Sequence, residues 1–227
     1  MKIATNITFM SIVGLAFLNI SPSNAAILYS DLGTGGSVYA TQPGSIIQGS
    51  GRGGNNISQA RPFTVAGTGL FDVTQFDLGV VLDLGNGTFD AAIWTSVAGA
   101  PGAPLPSASW TVTTTEPSGS CCTLVTQSGI TGVTLAGGTT YFMVLTPQSL
   151  TDSNKEEWAP NTQGATSTVY GSINGGASWV FDGTNSAAAF DVIGTASSAA
   201  PEPAGFLLLS AGLAGLFAVR RRLARQG

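Results

Sequence analysis

From Ile27 onward, apolar residues recur in short runs of period two, interrupted at close intervals by Gly, Pro, Asn and Ser, which is the pattern of short strands separated by turns. Phe76, Leu78, Val80 and Leu82 share one face of an extended segment over 76–82. Asn86-Gly87 offers two residues tolerant of positive φ and predicts a hairpin joining 76–82 to a strand over Thr88–Trp94. Further strands are expected at Ile27–Asp31, Arg61–Val65, Ser109–Thr115 and Thr123–Ser128, then at Thr166–Ser172, Ala177–Phe181 and Ala188–Ile193. Tyr141–Leu145 is apolar on both faces and suits a central strand. Ala98–Pro106 contains Pro101, Pro104 and Pro106, so it is expected as a loop, as are the polar stretches Gly33–Asn56 and Thr146–Gln163. The fold class that follows is all-β, a β-sandwich of jelly-roll-like type.

The two ends break this pattern. Ala204–Val219 carries no charge over sixteen residues, and a helix of that length covers roughly 24 Å, a marginal bilayer span that thinning and snorkelling arginines complete. Arg220, Arg221, Arg222 and Arg225 follow it and would hold that end cytoplasmic, leaving everything before Pro201 outside. At the other end, Lys2, the apolar Ile7–Ile20 and the small residues Ser23-Asn24-Ala25-Ala26 predict a signal peptide cut after Ala25 or Ala26. The expected organisation is a signal peptide over 1–26, an exported domain over 27–200 and a C-terminal segment over 201–227 with a transmembrane helix at 204–219.

Pro201-Glu202-Pro203, the apolar helix and the Arg-rich terminus, in that order, resemble the PEP-CTERM sorting signal of Gram-negative bacteria. The resemblance covers residues 201–227 alone. It implies an exosortase, a membrane-embedded protease and transpeptidase, as a processing partner beside signal peptidase. A GPI signal is the eukaryotic rival, but its hydrophobic tail does not normally finish in four arginines.

Charge then narrows the function. Between 27 and 200 the basic residues are Arg52, Arg61 and Lys155, against eleven Asp and Glu, a net of −8. Such a body repels phosphate backbones and anionic lipid, so nucleic acid is not expected as a partner and the membrane is met through the C-terminal helix. The Gly-rich run Gly49–Gly54 lacks a Gly-Lys-Ser/Thr ending and is expected as a surface loop. The absence of histidine removes His-dependent triads and His-ligated metal sites. Asp72 with Asp77, or Glu156 with Glu157, are the carboxylate pairs a glycosidase would need, though nothing in the sequence sets them across a cleft. No cofactor is expected; a structural calcium is compatible with the Asp side chains and backbone carbonyls of such loops, though the sequence names no site for it. The sequons at Asn56 and Asn86 are incidental in a bacterial protein.

Pro62-Phe63-Thr64, Ile93-Trp94, Gly99-Ala100-Pro101-Gly102, Trp110, the adjacent cysteines, Gly138–Phe142, Trp158 with Asn161, and Asn174–Trp179 together resemble bacterial choice-of-anchor surface domains over roughly 60–194. That resemblance implies a secreted β-sandwich without an assigned catalytic activity. Ser172–Trp179 is also similar to the Asp-box hairpin of sialidase propellers, with Asn174 in the aspartate's place, but one copy in so short a body does not make a propeller. The expected function is an exported, surface-anchored or exosortase-processed, non-catalytic binding or structural protein of the exopolysaccharide matrix. The alternative is a secreted carbohydrate-active enzyme using Asp and Glu.

Two details complete the expectations. Trp94 and Trp110 suit the core and Trp179 its own hairpin. Trp158, in the polar stretch Asp152–Asn161, is expected on a partly exposed loop and is the candidate for stacking on a sugar ring. Cys121 and Cys122 are adjacent, so a vicinal disulfide stiffening the turn after Gly119, pairing between molecules and two free thiols all remain open, the first being favoured.

Overall fold

The computed structural model describes residues 24–33, 38–41 and 43–197. The predicted signal peptide up to Ser23, the Pro201-Glu202-Pro203 motif, the helix at 204–219 and the four terminal arginines lie outside these residues. Among the described residues no helix is long and apolar enough to cross a membrane.

Those residues are all-β. In chain order come β1 (Ala26–Ser30), β2 (Ser45–Gln48), a single helical turn α1 (Ser50–Gly53), β3 (Ser58–Thr64), β4 (Leu70–Leu78), β5 (Val80–Leu84), β6 (Thr88–Val97) and β7 (Ala100–Thr113). They are followed by β8 (Val125–Ser128), β9 (Thr134–Ala136), β10 (Thr140–Pro147), β11 (Lys155–Trp158), β12 (Thr166–Ser172), β13 (Val180–Ser186) and β14 (Phe190–Ala196). Three antiparallel sheets result: β1-β14-β4-β8 with β9 also on β4, β13-β12-β3-β10-β6-β7, and β2-β11-β5.

One apolar cluster draws on all three. Phe76, Leu78 and Val192 enter it from the first sheet, Phe63, Ile93 and Met143 from the second, and Ile47, Val80 and Trp158 from the third. Phe63 meets Phe190 edge-on at 5.9 Å and Phe76 meets Trp110 at 5.1 Å, so aromatic rings bridge the two larger sheets. As its two-sided apolar sequence requires, β10 is a central strand: Met143 and Leu145 join this cluster, while Phe142 and Val144 pack with Ala60, Trp94, Tyr170 and Trp179 on the other face.

Four expectations are corrected. The strand over 76–82 is two strands in different sheets, turned at Gly79, where a Cβ would stand 2.7 Å from Tyr39 Cδ1 and 3.1 Å from Ala189 Cβ. The Asn86-Gly87 hairpin is not formed: β5 pairs with β11, and β6 pairs with β10 and β7. Positive φ falls on Gly85 (95°) and Gly87 (72°) and not on Asn86, which exchanges hydrogen bonds with Asn154 instead (Asn86 N–H to Asn154 Oδ1 at 3.1 Å, Asn154 Nδ2–H to Asn86 Oδ1 at 2.7 Å). The two consecutive positive φ values of a tight hairpin occur at Ala98 (50°) and Gly99 (81°), which close β6 onto β7. Pro101, Pro104 and Pro106 accordingly lie in β7 and not in a loop, tolerated because β7 is the sheet's outermost strand. Finally, β2 and β11 cross the two stretches expected as loops.

Candidate ligand site

The site begins with side-chain parity on β3. Phe63 faces the main cluster, so Arg61, two residues earlier, points inward as well and is only 3% exposed. Its Nη2 donates to the Ser45 hydroxyl, while Nε and Nη1 are buried without a partner. Burial pushes the guanidinium down to about 10, opposed by the charge of Asp182 and by Tyr29, so the group stays cationic at neutral pH. Among the described residues the ion pairs are those of Lys155 with Asp83 (2.6 Å) and Glu157 (3.5 Å), and none involves Arg61.

Arg61 opens onto a cavity of about 460 Å³. The loop before β2 supplies Ala40, Pro43 and Gly44 to its wall, β2 supplies Ser45, and the end of β11 supplies Trp158. Pro160 and Asn161, Asn185 and Ser186 at the end of β13, and Ala188 complete the lining. Gly44 is held against β11 so closely that a Cβ would lie 2.9 Å from Trp158 O. Asn161 is itself held in place: its Nδ2 donates to Ala187 O (2.8 Å) and Ala165 O (3.0 Å), and its Oδ1 accepts from Gln163 N–H (2.8 Å). Asn185 and Ser186 are exposed at the rim. The lining is thus one buried cation, amide and hydroxyl groups at the edge and small apolar surfaces between, with no carboxylate among its residues.

Trp158 is the clearest departure from expectation. It lies on a strand, is 1% exposed, donates from Nε1 to Ala189 O at 3.3 Å and packs against Phe190 at 5.4 Å. It supports the cavity wall and presents no open ring face for stacking. Trp94 and Trp179 meet edge-on at 5.6 Å on the outer face of the six-stranded sheet.

Neither a family model nor a curated protein matches the chain.

The candidate carboxylates do not converge on the cavity. Asp72 and Asp77 are five residues apart on β4, about 16 Å at strand rise, beyond the roughly 5–9.5 Å of glycosidase pairs. Asp77 instead faces Asp191 across β4 and β14, both buried, with Asp77 N–H donating to Asp191 Oδ1 at 3.2 Å and Thr126 and Gln75 donating to Asp77. Asp191 is pushed up, by burial first and by the charge of Asp77 second. Glu156 and Glu157 alternate faces on β11. Glu157 lies beside Lys155, whereas Glu156 is fully buried with neither oxygen hydrogen-bonded. Among the described residues no three Asp, Glu or Cys side chains gather in a metal-binding cluster.

Cys121 and Cys122 are joined to one another, and both sulfurs approach Tyr39 O. Asn174, the Asp-box position, ties its turn together by accepting from Ser178 N–H (3.0 Å) and donating to Ser178 Oγ (2.8 Å), a structural part.

In the sequence Arg61 stood out only as one of the three basic residues of 27–200 and as the first residue of an expected strand. The signal that could have singled it out is its shared parity with Phe63, an inward position at which a charge needs a reason.

Proposed function

We propose that the chain is an exported β-sandwich of jelly-roll type that binds a ligand at the cell surface or in the exopolysaccharide matrix, and that it is not an enzyme. The single observation that carries it is the ordered tail of Pro201-Glu202-Pro203, Ala204–Val219 and the four arginines behind an acidic body. A signal peptide over 1–26 and an exosortase acting on the tail complete the route, with the C-terminal helix as the membrane anchor until processing. Support for binding over catalysis comes from the cavity, which carries a cation and polar rim groups but no general acid, base or nucleophile pair.

Intact-mass analysis of the exported protein from a host with an exosortase tests this. The expected species lacks the C-terminal helix. A membrane-bound form still carrying Arg220–Gly227 in such a host overturns the processing route and leaves a plain single-span anchor.

A further inference from the structure

We propose that the cavity at Arg61 is a binding site for a sugar acid, with the Arg61 guanidinium taking the carboxylate and the rim amide and hydroxyl groups taking the ring hydroxyls.

Arginine presents its donors in a planar fork suited to a carboxylate, and two of Arg61's nitrogens, Nε and Nη1, are without a partner. A buried cation whose hydrogen-bond partner is one neutral hydroxyl is unfavourable in a folded protein, and Arg61 is part of the lining of the open volume, so an anion entering that volume meets the guanidinium. The carboxylate whose charge acts on it, Asp182, is exposed on β13 and makes no ion pair with it, so the protein places no counter-charge in direct contact with the guanidinium.

The rest of the lining narrows the ligand. A cavity of about 460 Å³ lies within the ordinary range for small-molecule sites, about 300–1,000 Å³. Asn185 and Ser186 stand at the rim and match hydroxyls on a ring. Pro43, Pro160 and Ala188 offer short apolar surfaces that suit the C–H face of a pyranose. A bare inorganic anion would leave the rim groups unused, and a neutral sugar would leave the guanidinium uncompensated. The body's net negative charge disfavours a long polyanion lying across the surface but not one carboxylate docked on Arg61.

This assignment takes the binding function proposed above as its starting point and names its ligand class. Titration calorimetry on the detergent-solubilised full chain, with glucuronate, glucose, acetate and sulfate as separate ligands, tests it. Glucuronate is expected to bind at least about tenfold more tightly than glucose, the scale of one charge-assisted hydrogen-bonded pair. Arg61→Met is expected to abolish that preference. Asn185→Trp, at the exposed rim, is expected to weaken glucuronate by blocking entry, and it decides the matter if Arg61→Met fails to fold. No measurable glucuronate binding, equal affinity for glucose, or an affinity unchanged by these variants overturns the proposal. Acetate or sulfate binding as tightly as glucuronate overturns the sugar part of it. Failure here in a protein that is correctly exported and processed removes this ligand and leaves the surface function standing. Failure of tail processing with glucuronate affinity intact does the reverse.

Discussion

Two buried ionisable groups, Arg61 and Glu156, depart from the same rule and resolve it differently. Each points inward from a strand, and each has side-chain polar atoms without a partner. Glu156 is 0% exposed on β11 between Ile47 and Leu82, and burial, reinforced by the charge of Asp152, pushes its carboxyl up to about 8. At neutral pH it escapes the cost of a buried charge by holding a proton. Arg61 has no such escape, because even lowered to about 10 its guanidinium remains charged throughout the physiological range. A buried acid can therefore shed its charge, whereas the arginine keeps one with no carboxylate in direct contact, and it is Arg61 and not Glu156 that lines the cavity.

The largest test of this contrast removes the residue beside both groups. Trp158 shares the inward face of β11 with Glu156 and walls the Arg61 cavity. Trp158→Ala should cost about 3–5 kcal/mol in chemical denaturation, the range for deleting a large buried aromatic side chain. A loss under about 1 kcal/mol would show that this tryptophan is not core and would reopen it as a stacking residue.

Next in size is the pH response of Glu156. Its carboxyl titrates higher in the folded chain, about 8, than the ordinary 4.5, so the folded state binds the extra proton between those values. Its stabilising contribution is full below about pH 4.5 and is lost as pH rises through about 8, at no more than about 1.4 kcal/mol per unit. Denaturation series at pH 5 and pH 8 should show wild type weaker at pH 8, with Glu156 and the likewise raised Asp191 both contributing, and Glu156→Gln should remove about 2–3 kcal/mol of that difference. The same slope in the variant would assign the titration elsewhere, to the Asp77–Asp191 pair first.

The smallest effect sharpens the arginine's side. Arg61→Met keeps most of the volume and removes the unpartnered charge, so the unliganded protein should gain about 1–2 kcal/mol, equally at pH 5 and pH 8. A loss of stability instead would mean that the guanidinium is satisfied in the empty protein, and the contrast with Glu156 would collapse.

How far the sequence foretold this depended on whether local pattern and tertiary context agreed. Tyr141–Leu145 announced a central strand because both of its faces are apolar and both are covered, and Thr166–Ser172 coincides with β12. Alternation over 76–82 was real, but period two continues across Gly79 while the chain changes sheets, so the corner left no mark in the pattern. Lys155-Glu156-Glu157-Trp158 resembled a polar loop because charged residues are rarely buried, and it is β11, with three of its four residues buried. The same prior hid Arg61. The site depends on residues from β2, β3, β11 and β13 meeting at one place, and single-sequence pattern carries no information about which strands become neighbours.

The prolines of β7 bear on how the molecule can meet its own copies. An outermost strand normally offers a row of free N–H groups to any incoming strand, yet Pro101, Pro104 and Pro106 have none to give. The opposite edge of the same sheet, β13, exposes Val180 and Phe181 and has no such block. End-to-end stacking of this sheet would require each copy to join its β13 edge to the β7 edge of the next, and the prolines obstruct that step along the first half of β7. Pairing of β13 against β13 would instead be a two-fold contact that uses up both of those edges and closes at a dimer, so the prolines bias this sheet away from open-ended growth.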